Sequence, residues 1–276
     1  MPQPYAGQFG SRRGIAYNDL VVNSLRGFVL TKPLVIGHRG ASAYAPENTI
    51  AAFNLAFDMG ADGIELDVEL TRDGVPVVFH FSTPTHPTHG LRTLGDKTLA
   101  QVKQIDAGAW FDEKFRDEKI PTLAEVFAAV GSRGKVVVEI KWSAVKLGNA
   151  DLERETAQVI RQCKNAKQVV VSSFHPIALY RMSRLVPDIP RALIYQEDLV
   201  PGLLNGPWFR WLTRPREIHP AHQMLTPKFA AWAHANKFSL TPWAIDDPNE
   251  MKRVIALGVD GIMSNKPDLL RKIVDQ

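Results

Sequence analysis

The stretch GIELDVELTRDGVPVVFH, residues 63–80, holds two apolar runs on either side of the dipeptide Asp73-Gly74. Asp-Gly between two such runs is a strong signal for a two-residue turn and predicts a β-hairpin. The returning strand must be antiparallel, because a parallel return needs a crossover of a dozen residues or more. Both strands carry titratable residues near their ends, and strand ends at a sheet edge are where chemistry is usually done.

The register of this hairpin decides which side chains meet. If Arg72 pairs with Val75, then His80 stands opposite Asp67. Glu65 lies on the same side of the strand, because side chains repeat every second residue. The sequence therefore predicts that two carboxylates and one imidazole converge. A slip by one residue would place the carboxylates and the imidazole on opposite faces.

Short apolar runs rich in Val and Ile alternate with helical patterns from residue 34 onward. Eight of them cover residues 34–37, 63–68, 136–140, 169–172, 192–195, 217–219, 238–245 and 261–264. Continuous apolar runs are typical of parallel strands buried on both faces. The pattern predicts an α/β fold, a closed (β/α)8 TIM barrel. An open doubly wound sheet is the alternative, and it is disfavoured because no glycine-rich dinucleotide fingerprint follows the first run.

The domain organisation follows from the position of these runs. Residues 1–30 precede the pattern and are predicted to form an N-terminal extension. Residues 31–276 are predicted to form a single domain, since neither a long linker nor a low-complexity segment interrupts them. At 276 residues with 45% apolar composition, the chain is long enough to bury one sizeable core.

Charge and cysteine content exclude some classes of protein. The net charge is +4, from 33 basic and 29 acidic residues, so there is no polybasic arm for nucleic acid. A modest attraction to anionic substrates or to a membrane surface is compatible with this charge. The single cysteine, Cys163, cannot form an internal disulfide. Nothing in the sequence thus points to an oxidising compartment.

Targeting signals are weak. No stretch approaches the ~20 apolar residues that a membrane span needs. The N-terminal segment has no uninterrupted apolar signal core and no convincing cleavage site, because Asn23, Ser24 and Arg26 break it. We therefore predict a cytoplasmic protein.

Three carboxylates near strand ends form a candidate metal site. Glu65 and Asp67 share one strand face, and Glu139 comes near the end of the run KVVVEI. Neighbouring carboxylates in a partly buried site stay ionised only if a cation neutralises them. Oxygen ligands without clustered cysteine or histidine favour Mg²⁺ or Ca²⁺ over zinc. We predict that these three residues bind one such divalent cation.

Basic and imidazole groups complete the candidate site. His38, Arg39 and Gly40 end the first apolar run, and Lys141 follows Glu139 by two residues. Arginine offers planar donors suited to phosphate, and glycine lets the backbone approach a ligand closely. His38 and the His80 of the hairpin can give and take protons near neutral pH. Together these groups describe a site for phosphoryl chemistry.

The chain resembles the glycerophosphodiester phosphodiesterase family (bacterial type) over about residues 34–270. The motifs that carry the resemblance are His38-Arg39-Gly40, Pro46-Glu47-Asn48-Thr49, Glu65-Leu66-Asp67-Val68, His80, Asp106-Ala107-Gly108-Ala109-Trp110-Phe111, Ile120-Pro121-Thr122-Leu123, Glu139-Ile140-Lys141, Trp243-Ala244-Ile245-Asp246-Asp247-Pro248 and Gly258-Val259-Asp260-Gly261-Ile262-Met263. They occur in the family's order, and as a set they are highly specific.

The resemblance implies a TIM-type barrel that hydrolyses glycerophosphodiesters to sn-glycerol 3-phosphate and an alcohol. It implies metal ligation by Glu65, Asp67 and Glu139. It implies that His38 and His80 are the acid/base pair, and that phosphate contacts come from Arg39 and Lys141. Segment 81–134 would correspond to the small inserted cap of the family. Trp243 could stack on the glycerol side of the substrate or fill the barrel mouth.

Three positions depart from the family pattern. Phe81 stands where the family usually has Asp, which puts substrate preference or the orientation of His80 in doubt. Asp246 stands where Asn is expected, and Asn265 where Asp is expected. These last two positions are expected to affect the rim of the site more than the chemistry.

Two alternative functions stay open. The same chemistry on lysophospholipids, a lysophospholipase D-like activity, is supported by segment 207–216, which mixes three aromatic residues with three arginines. A packed loop is the simpler reading of that segment, but weak contact with a lipid surface is compatible with it. A catalytically silent phosphate-binding barrel is the third hypothesis, and it is supported by Phe81.

Overall fold

The computed structural model describes residues 32–80, 94–164, 166–196 and 209–276. These residues form nine β-strands and nine α-helices that largely alternate. The strands are β1 Leu34–His38, β2 Gly63–Leu70, β3 Pro76–Val78, β4 Lys135–Ile140, β5 Val169–Ser173, β6 Arg191–Tyr195, β7 Glu217–Pro220, β8 Ser239–Leu240 and β9 Gly261–Ser264. The helices are α1 Ile50–Asp58, α2 Leu99–Val102, α3 Leu123–Val130, α4 Asp151–Gln162, α5 Pro176–Leu185, α6 Phe209–Thr213, α7 Pro227–Ala235, α8 Pro248–Ala256 and α9 Pro267–Val274.

Eight of the strands are parallel neighbours in the order β8-β7-β6-β5-β4-β2-β1-β9. The strand segment that begins with β8 meets β9 through backbone hydrogen bonds from Asp260 N–H to Leu240 O at 2.9 Å and from Met263 N–H to Pro242 O at 3.0 Å. The sheet is thus a nearly closed parallel barrel with helices outside it, and the predicted TIM-barrel fold is confirmed. The predicted run 238–245 is a strand only over its first part.

The main core lies between the strands and the surrounding helices. Residues of β4 such as Val136, Val138 and Ile140 are fully buried and pack in the same cluster as Phe53 of α1 and Leu179 of α5. Val and Ile fit a parallel sheet that is covered on both faces, which explains the continuous apolar runs in the sequence. The strands are therefore mostly apolar along their length, and polar side chains can gather at their ends.

The hairpin of β2 and β3 has a register one residue away from the predicted one. Val68 faces Val78 and Leu70 faces Pro76. The reason is the loop, which has three residues instead of two: Gly74 N–H donates to Thr71 O at 3.0 Å, and Gly74 has a φ of 81°. A turn followed by a glycine in the left-handed region is the usual three-residue hairpin loop. The predicted Arg72–Val75 pairing is therefore wrong.

With this register, His80 does not reach the site by pairing with Asp67. Phe79, not His80, stands opposite Asp67, since Phe79 N–H donates to Asp67 O at 3.0 Å. Strand β3 ends at Val78, so the two-residue alternation of side chains no longer applies at His80. The chain leaves the sheet there, and this departure brings the imidazole to the same cavity as Glu65.

The predicted inserted segment 81–134 divides into two parts. A small separate apolar cluster joins Val77 and Phe79 to Leu94, Val102 and Ile120. Helix α3, in contrast, packs with the main core of the barrel. Within the described residues, the separate cluster of the insert therefore extends to Ile120, and the chain from Leu123 onward packs with the barrel core.

Several sequence predictions concern residues outside the described ranges. They are the N-terminal extension 1–30, Phe81, and residues 207 and 208 of the aromatic-arginine segment. Among the residues that the structure describes, no helix is long and apolar enough to cross a bilayer.

Candidate active site

The parallel register brings four of the predicted residues to one end of the barrel. His38, the last residue of β1, pairs with Glu65 of β2. Asp67, two residues further along β2, pairs with Glu139 of β4. Because parallel strands end at the same rim, residues near the ends of three neighbouring runs become spatial neighbours. This is the side-chain arrangement that the sequence predicts.

Glu65, Asp67 and Glu139 form a buried carboxylate cluster. Their side chains each offer an oxygen, and these oxygens lie within 4.8 Å of one another. Burial, together with the charges of Asp67 and Glu139, raises the pKa of Glu65 well above its ordinary value. Burial also raises the pKa of Glu139. The cluster therefore holds more negative charge than its surroundings accommodate well.

Two basic side chains reach into this cluster. Lys141 Nζ lies 2.9 Å from Glu139 Oε1 and 3.2 Å from Asp67 Oδ1. Arg39 Nε lies 3.1 Å from Asp67 Oδ2. Burial alone would raise the pKa of Asp67, but the charges of Arg39 and Lys141 outweigh it and lower that pKa. Asp67 is thus the carboxylate of the cluster that stays ionised most firmly.

The backbone at Arg39 and Gly40 is shaped for this contact. Both residues have positive φ, 55° and 85°, and Arg39 N–H donates to Glu65 Oε2 at 3.1 Å. A Cβ on Gly40 would lie 2.6 Å from the backbone of Ala52, so only glycine fits there. A non-glycine residue in the left-handed region is uncommon, and such strained residues tend to cluster at active sites.

The charge balance indicates whether a divalent cation fits. With all four carboxyl groups ionised, the three carboxylates and Glu47 bring four negative charges, while Arg39 and Lys141 bring two positive ones. Arg39 also pairs with Glu47, from Nη1 to Oε2 at 2.9 Å. Two negative charges remain, and a divalent cation bound by the carboxylate oxygens would balance them. The donor set is all oxygen, as Mg²⁺ and Ca²⁺ prefer.

Both predicted histidines lie beside the carboxylates. His38 Nε2 is 3.9 Å from Glu65 Oε2, and His80 Nδ1 is 3.9 Å from Glu47 Oε1. Burial, and then the charge of Arg39, lowers the pKa of His38 to about 4. Burial lowers the pKa of His80 to about 3, although the charge of Asp67 opposes it. Both imidazoles are therefore neutral at pH 7, with one ring nitrogen able to accept a proton.

A cavity of about 210 Å³ connects these groups to the middle of the barrel. Its residues include His38, Arg39, Glu65, His80, Glu139, Lys141, Ser172, Phe174, His219 and Trp243. Trp243 meets Phe174 edge to face at 5.7 Å, and its Nε1 donates to His219 O at 2.9 Å. The cavity is therefore lined by an aromatic pair as well as by the charged groups.

Comparison with known proteins identifies the class of this site. The model of the glycerophosphoryl diester phosphodiesterase family matches residues 38–269, which include every residue of the charged cluster. The chain belongs to this family. The predicted family and the predicted enzyme class are confirmed.

Individual relatives agree with the family match. A glycerophosphodiester phosphodiesterase of Caldanaerobacter subterraneus subsp. tengcongensis is 39% identical over 245 residues, covering 88% of this chain and 98% of the relative. One from Bacillus altitudinis is 30% identical over the same share of each chain. An Oleispira antarctica phosphodiesterase, solved in complex with the product sn-glycerol-3-phosphate, superposes with a TM-score of 0.78 at 26% identity, covering 88% of this chain and 97% of its own.

All eight site residues predicted from the sequence meet in this part of the phosphodiesterase barrel. Seven of them line the cavity, and Asp67 lies against Arg39 and Lys141. Their individual roles stay predictions. His219, which also lines the cavity, is buried against Glu217, with Nε2 3.1 Å from Oε2.

Other polar residues of the site have no assigned role in the sequence interpretation. Asn48 of the Pro-Glu-Asn-Thr motif donates from Nδ2 to Asp67 Oδ2 at 2.9 Å. Glu69, the next inward residue of β2, is buried and accepts from Leu94 N–H at 3.4 Å, and burial raises its pKa to about 7. Asn265, which was expected to affect the rim of the site more than the chemistry, instead lies against the ring of His38, with its Oδ1 2.7 Å from Nδ1. Glu69 could have been found from the sequence, because it follows Asp67 by two residues on the same face of β2. Asn48 could have been found from the Pro-Glu-Asn-Thr motif.

Proposed function

We propose that this protein hydrolyses glycerophosphodiesters to sn-glycerol 3-phosphate and an alcohol, using a divalent cation and the His38–His80 pair. The observation that carries the proposal is the buried cluster of Glu65, Asp67 and Glu139 with both imidazoles at its edge. The family membership and the product complex of the Oleispira relative support the choice of substrate.

The three carboxylates would hold the cation, which is Mg²⁺ or Ca²⁺. When bound, it supplies stabilisation of the negative charge that develops on the phosphoryl oxygens. Arg39 and Lys141 already lie against the carboxylates, so they are placed to contact a phosphate bound beside the cation. Arginine matches phosphate through paired donors, and lysine acts as a point charge.

The two histidines would divide the proton transfers. One accepts the proton of the nucleophile, and the other donates a proton to the departing alkoxide. The nucleophile is water or the substrate's own glycerol hydroxyl, which would give a cyclic phosphate first. Since both rings are buried and neutral, the ring that donates must first bind a proton in the loaded site. Trp243 and Phe174 would face the organic part of the substrate.

The decisive experiment measures hydrolysis of glycerophosphocholine and glycerophosphoethanolamine by purified protein. Activity should vanish with chelator and return with Mg²⁺ or Ca²⁺. Glu65→Gln should weaken cation binding in calorimetry, whereas the exposed Glu113→Gln should not. His38→Ala and His80→Ala should each lower kcat by about 10²-fold or more, with His222→Ala as the matched control. Full activity of the metal-free protein would overturn the role of the cation.

A second candidate function is hydrolysis of lysophospholipids at the same site. Trp211 is 81% exposed and Leu212 is 42% exposed, next to the exposed Arg214 and Arg216. Such a surface suits weak contact with anionic lipid. Trp211→Ser should then slow hydrolysis of vesicle-bound lysophospholipid and leave glycerophosphocholine hydrolysis unchanged. A Trp211→Ser variant that hydrolyses both substrates as fast as the parent would remove this candidate.

The remaining sequence predictions are tested by the same assay. Phe81→Asp should shift the preference away from substrates with an apolar alcohol group, if Phe81 lines the approach to the site. Measurable hydrolysis of any diester would exclude the catalytically silent barrel. We retain the cytoplasmic location as a prediction from the sequence.

A further inference from the structure

A chain of polar groups lies behind His38, on the Nδ1 side of its ring. His38 Nδ1 is 2.7 Å from Asn265 Oδ1. Asn265 in turn donates from Nδ2 to Asp246 Oδ2 at 2.7 Å and from its backbone N–H to Asp246 Oδ1 at 2.9 Å. The chain connects the end of β1 with the residues that follow β8 and β9, where the barrel closes.

The carboxylate of Asp246 decides how the amide of Asn265 is oriented. An ionised carboxylate accepts hydrogen bonds and has none to give, so it must face the Nδ2 group. Ser264 Oγ also donates to Asp246 Oδ1, at 2.9 Å, which holds the carboxylate in place. The amide oxygen is left on the side of His38, where Ser42 Oγ lies 2.8 Å from it and also 2.8 Å from His38 O, so the two oxygens share one hydroxyl donor.

An amide oxygen facing an imidazole fixes the tautomer of that ring. Asn265 Oδ1 only accepts, so His38 Nδ1 must carry the hydrogen of the pair. In the neutral ring the lone pair is then on Nε2, the nitrogen that lies 3.9 Å from Glu65 Oε2 in the cavity. The same logic governs other histidines that are oriented by a partner on the opposite nitrogen.

We propose that Asp246 and Asn265 are positioning residues that set the tautomer of His38 and keep its Nε2 lone pair turned toward the reacting groups. The catalytic meaning of this inference rests on the proposed function, while the tautomer is a property of the protein itself. The inference also explains the two late departures from the family pattern. With Asn at 246 and Asp at 265, an acceptor would still face Nδ1, so the exchange of both residues preserves the arrangement.

The first test reads the tautomer directly from the ring ¹⁵N signals of His38, assigned with His38→Gln. The parent protein should show the Nδ1–H form. Asp246→Asn leaves one acceptor oxygen for three donors, so Asn265 is no longer held in one orientation. We expect an Nε2–H population to appear and kcat to fall about tenfold or more, with KM changing less than about threefold.

The second test is the reciprocal exchange of Asp246→Asn together with Asn265→Asp. It should restore the Nδ1–H form and bring kcat back to within about threefold of the parent. Asp247→Asn is the matched control at the neighbouring position. Asp247 caps α8 by accepting from the backbone N–H groups of Asn249 and Glu250, and asparagine is an equally good cap. A loss of activity caused only by local unfolding would not be repaired by the exchange.

Three results would overturn the inference. They are an Nε2–H form in the parent, an unchanged His38 spectrum and kcat in Asp246→Asn, and an exchange variant that folds but stays as slow as Asp246→Asn. If the protein hydrolyses none of the diesters, the proposed function fails while the spectra still decide the tautomer. If Asp246→Asn does not fold, the parent and the exchange variant decide it by themselves.

Discussion

Asn48 holds Asp67 with both ends of its side-chain amide. Nδ2 donates to Asp67 Oδ2 at 2.9 Å, and Oδ1 accepts from the backbone N–H of Asp67 at 3.3 Å. Both residues are buried, and Asn48 has a φ of 59°, which asparagine tolerates better than most residues. The clamp fixes one oxygen of the carboxylate and leaves Oδ1 toward Lys141 and the candidate cation site.

This clamp predicts that Asn48→Ala weakens cation binding although Asn48 is not a proposed ligand. Residues that orient metal ligands typically contribute about 10–100-fold to affinity. We expect a loss of at least about tenfold in the binding constant for Mg²⁺ or Ca²⁺ in calorimetry. Asn54→Ala on α1 removes an amide that bonds Arg133 instead and serves as the control. Equal affinities in the two variants would show that the clamp is only structural.

Lys141 predicts a different response, because it neutralises the same carboxylates that the cation would. Lys141→Met leaves Glu139 without its nearby positive charge and leaves Asp67 with that of Arg39 alone. The metal-free variant should therefore melt below the parent, and added Mg²⁺ or Ca²⁺ should raise its Tm by more than it raises that of the parent. Phosphate binding should weaken, seen as a higher KM. Lys103→Met, which removes a pair with Glu125 far from the carboxylates, is the control.

The meeting of His38, Glu65, Asp67 and Glu139 could be predicted from the sequence for a physical reason. Each lies near the end of an apolar run, and parallel strands in a barrel bring those ends to one rim. The contacts of Asn48 and Asn265 could not be predicted, because their partners are 19 and 227 residues away and no local pattern marks a hydrogen bond. Charge and periodicity thus locate the site, while its supporting bonds depend on the folded geometry.

The hairpin register is a second feature that could not be predicted from the sequence, although its residues are close together in the chain. Asp73-Gly74 suits a two-residue loop and a three-residue loop alike, because both loops place a residue in the left-handed region. The structure has the three-residue loop, with Gly74 at a φ of 81°. His80 still reaches the cavity because β3 ends before it. The convergence was predicted correctly, and the pairing that was to produce it was wrong.

Gly74 provides a test of this loop that is independent of the site. No atom lies within 4 Å of the position where a Cβ would be, so a side chain there meets only backbone strain. Gly74→Ala should lower the free energy of unfolding by about 1–2 kcal/mol, and Gly74→Asn should lower it by less, since asparagine tolerates the left-handed region. Urea unfolding measures both. Diester hydrolysis should be unchanged in both variants, and equal stability of the alanine variant and the parent would contradict the loop geometry.

Glu217 predicts how stability depends on pH. It is buried and lies 2.8 Å from Lys135 Nζ and 3.1 Å from His219 Nε2. Burial would raise the pKa of Glu217, but the bonds to His219 and Lys135 outweigh it and lower the pKa from 4.5 to about 2. The folded protein therefore binds this proton at lower pH than the unfolded chain does. The stabilisation is complete above the unfolded value near 4.5 and is lost as the pH falls toward 2.

The matched variant is Glu217→Gln, which keeps the shape and removes the charge. At pH 7 it should be less stable than the parent by on the order of 3 kcal/mol, the free energy that corresponds to such a shift. Between pH 5 and about 2 the difference should shrink steadily, because the parent loses the same charge by protonation. Urea unfolding at several pH values measures this difference. A difference that stays constant down to pH 2 would show that the charge of Glu217, in its bonds to His219 and Lys135, contributes nothing to folding.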